Sequence, residues 1–507
     1  MRYIYIFPIF LCLFCTTPVL AQKEATIWYF GETAGLDFNS GAPMPLLDGV
    51  MTAFEGCASI ADRNGTLLFY TNGTSVWNRN HQLMPNGTGL RSNYSATQAA
   101  VIVPQPGSAN RYYIFTVDRA EVAFGTGLSY SVVDMSAPSG GGFGDVVVKN
   151  TPLLSTSTEK ITAVKHRNGI DVWLITHELF SNVFHSYLIT PSGINTTSIR
   201  SATGTVYRQG VGYLKASQDG SRLAAAVDFD LFEAYNFNNA TGVVSAPIPL
   251  VSSILHWCYG VEFSPNGKLL YGSKAQAGRL YPTEVYQFDL EAGTPGQIAA
   301  SATVVAVVYV TDATTELQTS AGALQIGPDN RIYLARLYSE YLGVITQPNI
   351  RGVGCRYVPD GVHLGSRQSL YGLPTINNSY YRVPEFLYTD LCFGDSTHFL
   401  LSQDAFPVDS VFWNFGNAAT GDQNISTALT PSHLFSAPGE YTVTLVMFRE
   451  TRADTVSRTI PIFALPQVHL GRDTTVCTGA LLVLSAKDPS FVSYLWSTGG
   501  TTYSIIV

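Results

Sequence analysis

Residues 258–273 read CYGVEFSPNGKLLYGS, which is a short apolar strand, a Pro-Asn-Gly turn and a second apolar strand. Asn266 and Gly267 both tolerate positive φ, and Asn-Gly between two apolar runs is typical of a β-hairpin. Matching strand–turn–strand segments have their turns near residues 64, 109, 168, 219, 266 and 329. The segment at 258–273 is therefore one copy of a repeat.

The spacing of this repeat predicts a β-propeller. The turns recur every 45 to 63 residues, which leaves room for two further strands between successive hairpins. About four strands per repeat is typical of a propeller blade, whose faces are buried only against neighbouring blades. We predict six or seven blades over residues 22–384. The strand at 26–30 has no evident hairpin partner, and we expect it to complete the last blade with strands from about 341 to 381.

Composition favours an all-β chain and excludes some partners. Charged residues make up 13% of the 507 residues, and the formal net charge is −8. A content of charged residues this low favours buried strands over surface helices. Because no basic stripe is present, nucleic acid and anionic membranes are not expected partners.

The N-terminus predicts export. Residues 1–21 place Arg2 before an apolar run and end in Val19-Leu20-Ala21, which is the pattern of a secretory signal peptide. The longest later apolar run, at 302–310, is too short to cross a membrane and fits a buried strand. We therefore predict a secreted or outer-surface protein with no transmembrane segment in the mature chain.

Five cysteines remain after removal of residues 1–21, and they are Cys57, Cys258, Cys355, Cys392 and Cys477. Export permits disulfides, but the odd number leaves at least one cysteine without a partner in this sequence. Because no CxxC spacing occurs, a zinc site is not expected. The sequence does not determine which cysteines pair.

The pattern changes after residue 384. Short alternating strands over 385–465 predict a β-sandwich, and 466–507 begins a second one that is too short to be complete. WNFG at 413–416 with HLFSAPGEYTVTLVM at 433–447 resembles a PKD domain, an Ig-like sandwich. Asn414 and Asn417 replace the family's acidic residues, which weakens any cation binding that this resemblance implies.

The whole mature chain resembles large secreted surface proteins of Bacteroidetes-type bacteria. The resemblance is carried by WYFGETAGLDFNSGAP near the N-terminus, by the repeated turns, and by YGLPTINNSYY at 371–381. It implies a propeller, PKD or Ig-like modules, and a gliding-motility-associated C-terminal sorting domain read by the type IX secretion machinery. That sorting domain is missing from the sequence, so we expect a truncated chain.

Few residues suggest catalysis or metal binding. His177-Glu178 begins like a zinc-protease motif, but position 181 is serine, so a polar pair at a strand end is the favoured interpretation. Asp228 and Asp230 alternate along a strand and share one face, where they could bind Ca²⁺ or act as an acid–base pair. The same spacing is common on solvent-exposed strands, and no other cofactor is predicted.

Two further sets of residues are candidates for sites. Trp77 in a polar stretch with Asn80 and His81 is the best candidate for an exposed loop aromatic that binds ligand, although tryptophan is also a common core residue. Four positions match the short Asp-Ser/Thr pattern of bacterial O-glycosylation, and they are Ser396, Ser410, Thr455 and Thr474.

The sequence favours a non-enzymatic function. We predict that the propeller is a binding or adhesion head for a glycan or protein ligand, carried on PKD and Ig-like spacers. Two alternatives remain open. One is a hydrolase or lyase acting on polysaccharides at the mouth of the propeller channel, and the other is a structural component of a surface layer. Clustered carboxylates and histidines at the channel mouth would favour the enzyme, and an aromatic-rimmed or plugged channel would favour binding.

Overall fold

The structure is a computed structural model that describes residues 23–120, 126–227, 231–251, 256–276, 282–308, 321–381, 386–401, 408–449, 452–465, 468–488 and 493–507. The predicted signal peptide, residues 1–21, lies outside the described residues. The chain forms two compact units, Met1–Val383 and Pro384–Val507. Among the described residues, no helix is long and apolar enough to span a bilayer.

The first unit is built from seven antiparallel sheets in the described part of the chain, which we number as blades 1 to 7. Blade 1 contains β1 (Ile27–Glu32), β2 (Ala34–Asp37), β3 (Met44–Leu46) and β4 (Thr52–Ala53), and blade 2 contains β5 (Ala58–Ala61), β6 (Leu67–Thr71), β7 (Ser75–Asn78) and β8 (Leu83–Thr88). Blade 3 contains β9 (Ala100–Pro104), β10 (Arg111–Val117), β11 (Leu128–Asp134) and β12 (Asp145–Leu154). Blade 4 contains β13 (Ser157–Lys165), β14 (Val172–Glu178), β15 (Ser181–Thr190), β16 (Gly193–Ile194) and β17 (Ile199–Tyr207). Blade 5 contains β18 (Leu214–Ala216), β19 (Arg222–Val227), β20 (Leu231–Asn238) and β21 (Val243–Val251). Blade 6 contains β22 (His256–Phe263), β23 (Leu269–Gln276), β24 (Thr283–Asp289) and β25 (Thr303–Val308). Blade 7 contains β26 (Ala321–Ile326), β27 (Ile332–Arg336), β28 (Tyr341–Ile345) and β29 (Tyr357–His363).

In the described part of this unit, helical structure is limited to short connections. The α-helix α1 (Pro295–Ala300) is capped by Thr294, and 3-10 turns cover Lys23–Ala25, Pro138–Gly140, Gly352–Cys355 and Asn378–Tyr381. The structure is therefore all-β, as the sequence predicted.

The blades are arranged as a β-propeller. In blades 2 to 7 the strands pair in chain order, so the first strand of each blade lies at one side of its sheet. These first strands pack against one another in sequence, from β5 and β9 through β13, β18 and β22 to β26. Such an order produces a ring of blades around a central channel. Because the connections alternate between the two ends of the strands, the Asn-Gly turns all lie at one edge of the ring.

The ring is closed by residues 368–375. The Glu32 N–H donates to the Gln368 carbonyl at 2.8 Å, and the Tyr371 N–H donates to the Phe54 carbonyl at 2.9 Å. On the other side, the Ala323 N–H donates to the Tyr371 carbonyl at 2.8 Å. The closing segment thus joins blade 7 to the N-terminal part of the chain, and the propeller has seven blades.

The prediction for residues 26–30 was wrong in one respect. β1 has a hairpin partner close by, since it pairs with β2 from Ile27–Asp37 to Phe30–Ala34. The turn between them carries Thr33 at a φ of 57°, a residue type that gives no turn signal. β28 and β29, which were expected beside β1, complete blade 7 instead, and only the segment from Gln368 onward reaches β1.

The hairpin at 258–273 has the predicted form. β22 and β23 pair across the turn, where Gly267 has a φ of 68°. Val261, Phe263 and Leu270 are fully buried. A Cβ at Gly272 would lie 2.5 Å from the Phe232 ring of blade 5, so this glycine lets the two blades pack closely.

The second unit contains two antiparallel sheets that share one apolar core. One sheet has the order β30 (Phe386–Thr389), β31 (Thr397–Leu401), β34 (Ser432–His433), and the other has β33 (Ile425–Ser426), β32 (Ser410–Asn414), β35 (Gly439–Arg449), β36 (Arg452–Ile462). Trp413 is fully buried in this core, and its indole N–H donates to the Ala428 carbonyl at 3.0 Å. A 3-10 segment covers Ala418–Asn424, and among the described residues β37 (Val483–Ser485) pairs with β38 (Ser504–Ile506) in a separate two-stranded sheet.

Cysteines are placed mainly as small core residues. Cys57, Cys258 and Cys355 are buried, whereas Cys392 and Cys477 are exposed. Cys57, Cys355, Cys392 and Cys477 form no disulfide with one another.

Candidate binding site at the channel mouth

The first strands of the blades begin at one edge of the ring, which we call the mouth edge, and the Asn-Gly turns lie at the opposite edge, the turn edge. Backbone hydrogen bonds tie the beginnings of these strands together. The Gly56 N–H donates to the Ala96 carbonyl at 3.0 Å, and the Tyr213 N–H donates to the Tyr259 carbonyl at 2.8 Å. The channel mouth is therefore formed by segments from different blades.

A row of aromatic rings lies at this mouth. Ring centroids are 6.5 Å apart for Tyr94–Phe54, 5.5 Å for Phe54–Tyr371, 5.9 Å for Tyr371–Tyr259 and 5.6 Å for Tyr259–Tyr213. Tyr94 is 67% exposed, the three middle rings are half-buried, and Tyr213 is fully buried. These five residues, the mouth aromatic row, lead from solvent into the channel.

Glu55 adds a carboxylate to this row. Its two oxygens accept hydrogen bonds from the Tyr259 hydroxyl at 2.9 Å and from the Ser95 hydroxyl at 3.2 Å. Burial, followed by the charge of Glu55, raises the pKa of Tyr259 well above its ordinary value. Tyr259 therefore remains a hydrogen-bond donor at any physiological pH. The mouth offers ring faces together with fixed polar groups.

A second carboxylate near the mouth, Glu159, is occupied by the protein itself. It accepts hydrogen bonds from the Thr97 N–H at 2.8 Å, the Thr97 hydroxyl at 2.7 Å and the Ala120 N–H at 2.9 Å. Burial raises its pKa, and these hydrogen bonds oppose that rise. Glu159 thus holds neighbouring loops of the mouth together.

The channel below the mouth contains a buried ion pair. Lys215 Nζ lies 3.6 Å from Glu262 Oε2, and both side chains are excluded from solvent. Glu262 also accepts from the Asn378 side chain at 2.8 Å and from the Ile326 N–H at 3.1 Å. Burial raises the pKa of Glu262 and lowers that of Lys215, and each shift is opposed by the partner's charge. Lys215 also donates to Gln325.

The far end of the channel is plugged by the 3-10 turn Asn378–Tyr381. Its four residues are buried. Asn378 donates to the Ala216 carbonyl at 3.1 Å, Ser379 accepts from the Lys165 N–H at 3.2 Å, and Tyr381 donates to the Ala25 carbonyl at 3.2 Å. The plug is therefore attached to several blades.

Two exposed aromatic residues lie at the mouth edge in a strained backbone conformation. Phe180 connects β14 to β15 with a φ of 60° and is 70% exposed, and Tyr338 follows β27 with a φ of 54° and is 45% exposed. The corresponding turn of blade 2 contains Gly73, at a φ of 84°. Bulky residues rarely occupy this conformation, and such strain is common at functional sites.

The predicted ligand-binding residues lie elsewhere. Trp77 was expected in a loop, but it lies on β7, half-buried, and stacks on Tyr70 with centroids 5.7 Å apart. His81 is bound on both sides, by the Tyr70 hydroxyl at 3.1 Å and by Asp48 at 3.3 Å. Asn80 is exposed in the adjoining turn. The loop position of Trp77 was wrong because its alternation with buried neighbours on β7 is a strand pattern, and ligand binding by the three residues stays a prediction.

Other predicted residues are placed as follows. Asp228 and Asp230 lie outside the described residues, so the Ca²⁺ site stays a prediction. No group of three or more His, Cys, Asp or Glu side chains that could hold a metal lies within the part of the chain that the structure describes. His177 and Glu178 end β14 as predicted, and burial lowers the pKa of His177 to about 3. Of the predicted glycosylation sites, Ser396, Ser410 and Thr474 are exposed and Thr455 is half-buried.

Comparison with known proteins gives limited similarity. No family model and no curated protein matches this chain. Two solved structures described as "putative 6-phosphogluconolactonase" are 13% identical to it. The one from Bacteroides uniformis covers 64% of this chain and 92% of its own length with a TM-score of 0.40. The one from Bacteroides fragilis covers 69% and 97% with a TM-score of 0.42.

A third similar structure is the β-propeller domain of Cps50 (Swd1) from Myceliophteria thermophila. It is 10% identical, covers 62% of this chain and 93% of its own, and has a TM-score of 0.36. Similarity at this level says nothing about activity. The assignment of a propeller rests on the seven sheets and their order.

Proposed function

We propose that this chain is an exported cell-surface or secreted binding protein, whose propeller binds an extracellular glycan at the channel mouth. The observation that carries the proposal is the mouth aromatic row with Glu55 at its side. The apolar C–H faces of a sugar ring pack on aromatic faces, and its hydroxyls donate to a carboxylate. Tyr94 provides the exposed ring, and Glu55 provides the acceptor.

The contents of the channel favour binding over hydrolysis. Among the described residues, Glu159 near the mouth and Glu262 inside the channel are fully buried and already accept several hydrogen bonds from the protein. A hydrolase needs an acid and a base that can reach substrate. The plug formed by Asn378–Tyr381 makes the channel a rigid support for the mouth.

The second unit fits the role of a spacer. Its WNFG and HLFSAPGEYTVTLVM segments support a PKD-like domain, and residues 466–507 support the start of an Ig-like domain. With the signal-like N-terminus, these segments support membership of the Bacteroidetes-type surface proteins exported by type IX secretion. An array without any bound glycan would instead favour a protein ligand or a purely structural role in a surface layer.

The test is glycan-array binding by the full chain, followed by titration of the best glycan. Tyr94→Ala should weaken binding at least about 5-fold, which corresponds to about 1 kcal/mol, since aromatic residues are enriched among those that contribute this much to binding. Glu55→Gln should also weaken it. Ile170→Ala, an exposed apolar residue at the turn edge, is the matched control and should bind like the wild type.

Two results would contradict the proposal. One is an array on which the full chain binds no glycan, and the other is equal affinity of the wild type and Tyr94→Ala.

Export is tested separately in the native host. We expect the mature N-terminus at Gln22 and accessibility to protease added outside the cell, and a retained residue 1 would contradict export.

A further inference from the structure

We infer that blade 4 carries a second site, in which Ser198, His185 and Glu178 form a nucleophilic triad that hydrolyses acyl esters. This site is separate from the mouth aromatic row and does not depend on the function proposed for it. The inference rests on the two hydrogen bonds of one imidazole ring. His185 Nδ1 lies 2.8 Å from the Ser198 hydroxyl, and His185 Nε2 lies 3.4 Å from Glu178 Oε2.

Strand pairing brings these residues together. β15 lies between β14 and β17, so His185 is flanked by Glu178 at the end of β14 and by Ser198 just before β17. The His185 side chain is 8% exposed and that of Glu178 is 29% exposed, while Ser198 is half-buried. His185, the base, is thus shielded from solvent, and Ser198, the nucleophile, can be reached from solvent.

The surroundings suit a histidine that acts as a base. Burial lowers the pKa of His185, Glu178 opposes this shift, and Arg200 adds to it, so the imidazole is neutral at pH 7. Glu178 in turn is held by Arg200, whose Nη2 lies 3.6 Å away. A nucleophile bonded to a base that a carboxylate orients is the arrangement of serine hydrolases. Here Nδ1 of His185 faces the serine and Nε2 faces the carboxylate, which is the reverse of the usual arrangement. An imidazole permits both arrangements because either nitrogen can carry the proton.

Two neighbouring residues complete the site. Arg200 follows Ser198 by two residues along the strand, which places both on one face, and its 64% exposed side chain provides a positive charge for a developing oxyanion. Tyr187 lies beside Ser198, and its hydroxyl donates to the Leu153 carbonyl at 3.2 Å; burial raises its pKa, and Ser198 opposes that rise. The strained turn with Phe180 begins two residues after Glu178.

The reaction is a two-step transfer of an acyl group. The Ser198 oxygen bonds to the acyl carbon as its proton passes to His185, and the C–O bond to the alcohol then breaks as His185 protonates the leaving oxygen. Water next attacks the acyl-serine, giving one proton to His185, which returns it to Ser198. The products are one carboxylic acid and one alcohol, and no oxidant or cofactor is consumed. We assign the substrate class as small acyl esters, such as acetyl esters of alcohols, because Ser198 lies near the surface.

The test is labelling of the purified full chain with a fluorophosphonate probe, read by mass spectrometry, together with hydrolysis of p-nitrophenyl acetate. We expect one label, on Ser198, and saturable hydrolysis. Ser198→Ala should abolish both. His185→Ala should slow labelling by about 100-fold or more, as expected on loss of a general base. Glu178→Gln should label more slowly than the wild type and faster than His185→Ala.

Ser192→Ala is the matched control, because Ser192 is an exposed serine in a turn of the same blade. It should label and hydrolyse like the wild type. If His185→Ala does not fold, as judged by circular dichroism, Glu178→Gln and Ser198→Ala decide the question. Absence of label, label on another serine, or labelling that is unchanged in both His185→Ala and Glu178→Gln would overturn the inference. Tyr94→Ala should label normally, so failure of glycan binding and failure of this site are distinguishable.

Discussion

The two edges of the propeller reverse the chain in different ways. At the turn edge, Gly65, Gly169 and Gly267 take φ values of 85°, 76° and 68°, a conformation that costs glycine little. At the mouth edge, Phe180 and Tyr338 take 60° and 54° with large side chains. At the turn edge the residues with positive φ are mostly glycine, with the polar residues Asn330 and His81 at 61° and 59°. At the mouth edge, residues that disfavour a positive φ are retained, so a role of their side chains must account for them. We infer from this that the functional surface lies at the mouth edge.

The largest expected difference between the two edges is a loss of folding stability at low pH, caused by a histidine at the mouth edge. His177 lies at the mouth end of β14, and neither of its ring nitrogens has a hydrogen-bond partner among the residues that the structure describes. Burial lowers its pKa from 6.5 to about 3. Below pH 6.5 the unfolded chain therefore binds a proton that the folded chain does not bind. The stability present above pH 6.5 should fall as the pH approaches 3, by up to about 5 kcal/mol for a shift of this size.

His177→Leu should remove this part of the acid sensitivity, measured as the difference in unfolding free energy between variant and wild type from pH 7 to pH 4. Ile175→Val, a core change on the same strand, is the control. It should lower stability by about 0.5–1.5 kcal/mol at every pH. Parallel curves for the wild type and His177→Leu would contradict this prediction.

A second comparison sets the buried ion pair of the channel against an exposed pair at the turn edge. Lys215→Met leaves the Glu262 carboxylate buried without its cation, so we expect a loss of about 3–5 kcal/mol in unfolding free energy. Lys268 and Glu291, 3.2 Å apart beside the Asn266-Gly267 turn, are about half exposed. Lys268→Met should therefore change stability by less than about 1 kcal/mol. Equal losses in urea denaturation would refute the contrast.

The smallest effect concerns the turns themselves. Gly267→Ala meets only the Ser217 Cβ at 3.9 Å, so its cost isolates the backbone conformation and should be about 1 kcal/mol. Phe180→Gly should leave stability unchanged or raise it by up to about 1 kcal/mol, because release of strain is offset by the entropy of glycine. Calorimetric melting of both variants tests whether Gly267→Ala lowers stability while Phe180→Gly does not. A clear loss of stability in Phe180→Gly would show that Phe180 is kept for packing.

Much of the propeller could be predicted from local chemistry. All six predicted turns connect the first and second strands of a blade, and Asn330 takes the predicted positive φ, at 61°. Blade 1 was missed because Thr33, a β-branched residue, forms its first turn. The turn residues thus located every blade in which the turn between the first and second strands uses Asn, Asp or Gly.

The candidate sites could not be predicted in the same way. Phe54, Tyr94, Tyr259 and Tyr371 come from segments between 40 and 317 residues apart and meet only because the ring closes. No spacing in the sequence carries that information. Ser198, His185 and Glu178 lie within about 20 residues, but their contact depends on the register of three strands, which a linear motif does not record.

The closing segment also determines how the molecule would bear tension. Residues 368–381 close the ring, plug the channel, and are the last described part of the propeller before the second unit. A pull exerted through the second unit would therefore reach the propeller at its closure first. There the load would act on hydrogen bonds to the segments around Glu32, Phe54 and Ala323 together. The closure would thus receive the load first and would oppose it with several hydrogen bonds at once, and opening of the ring would be the first mechanical event.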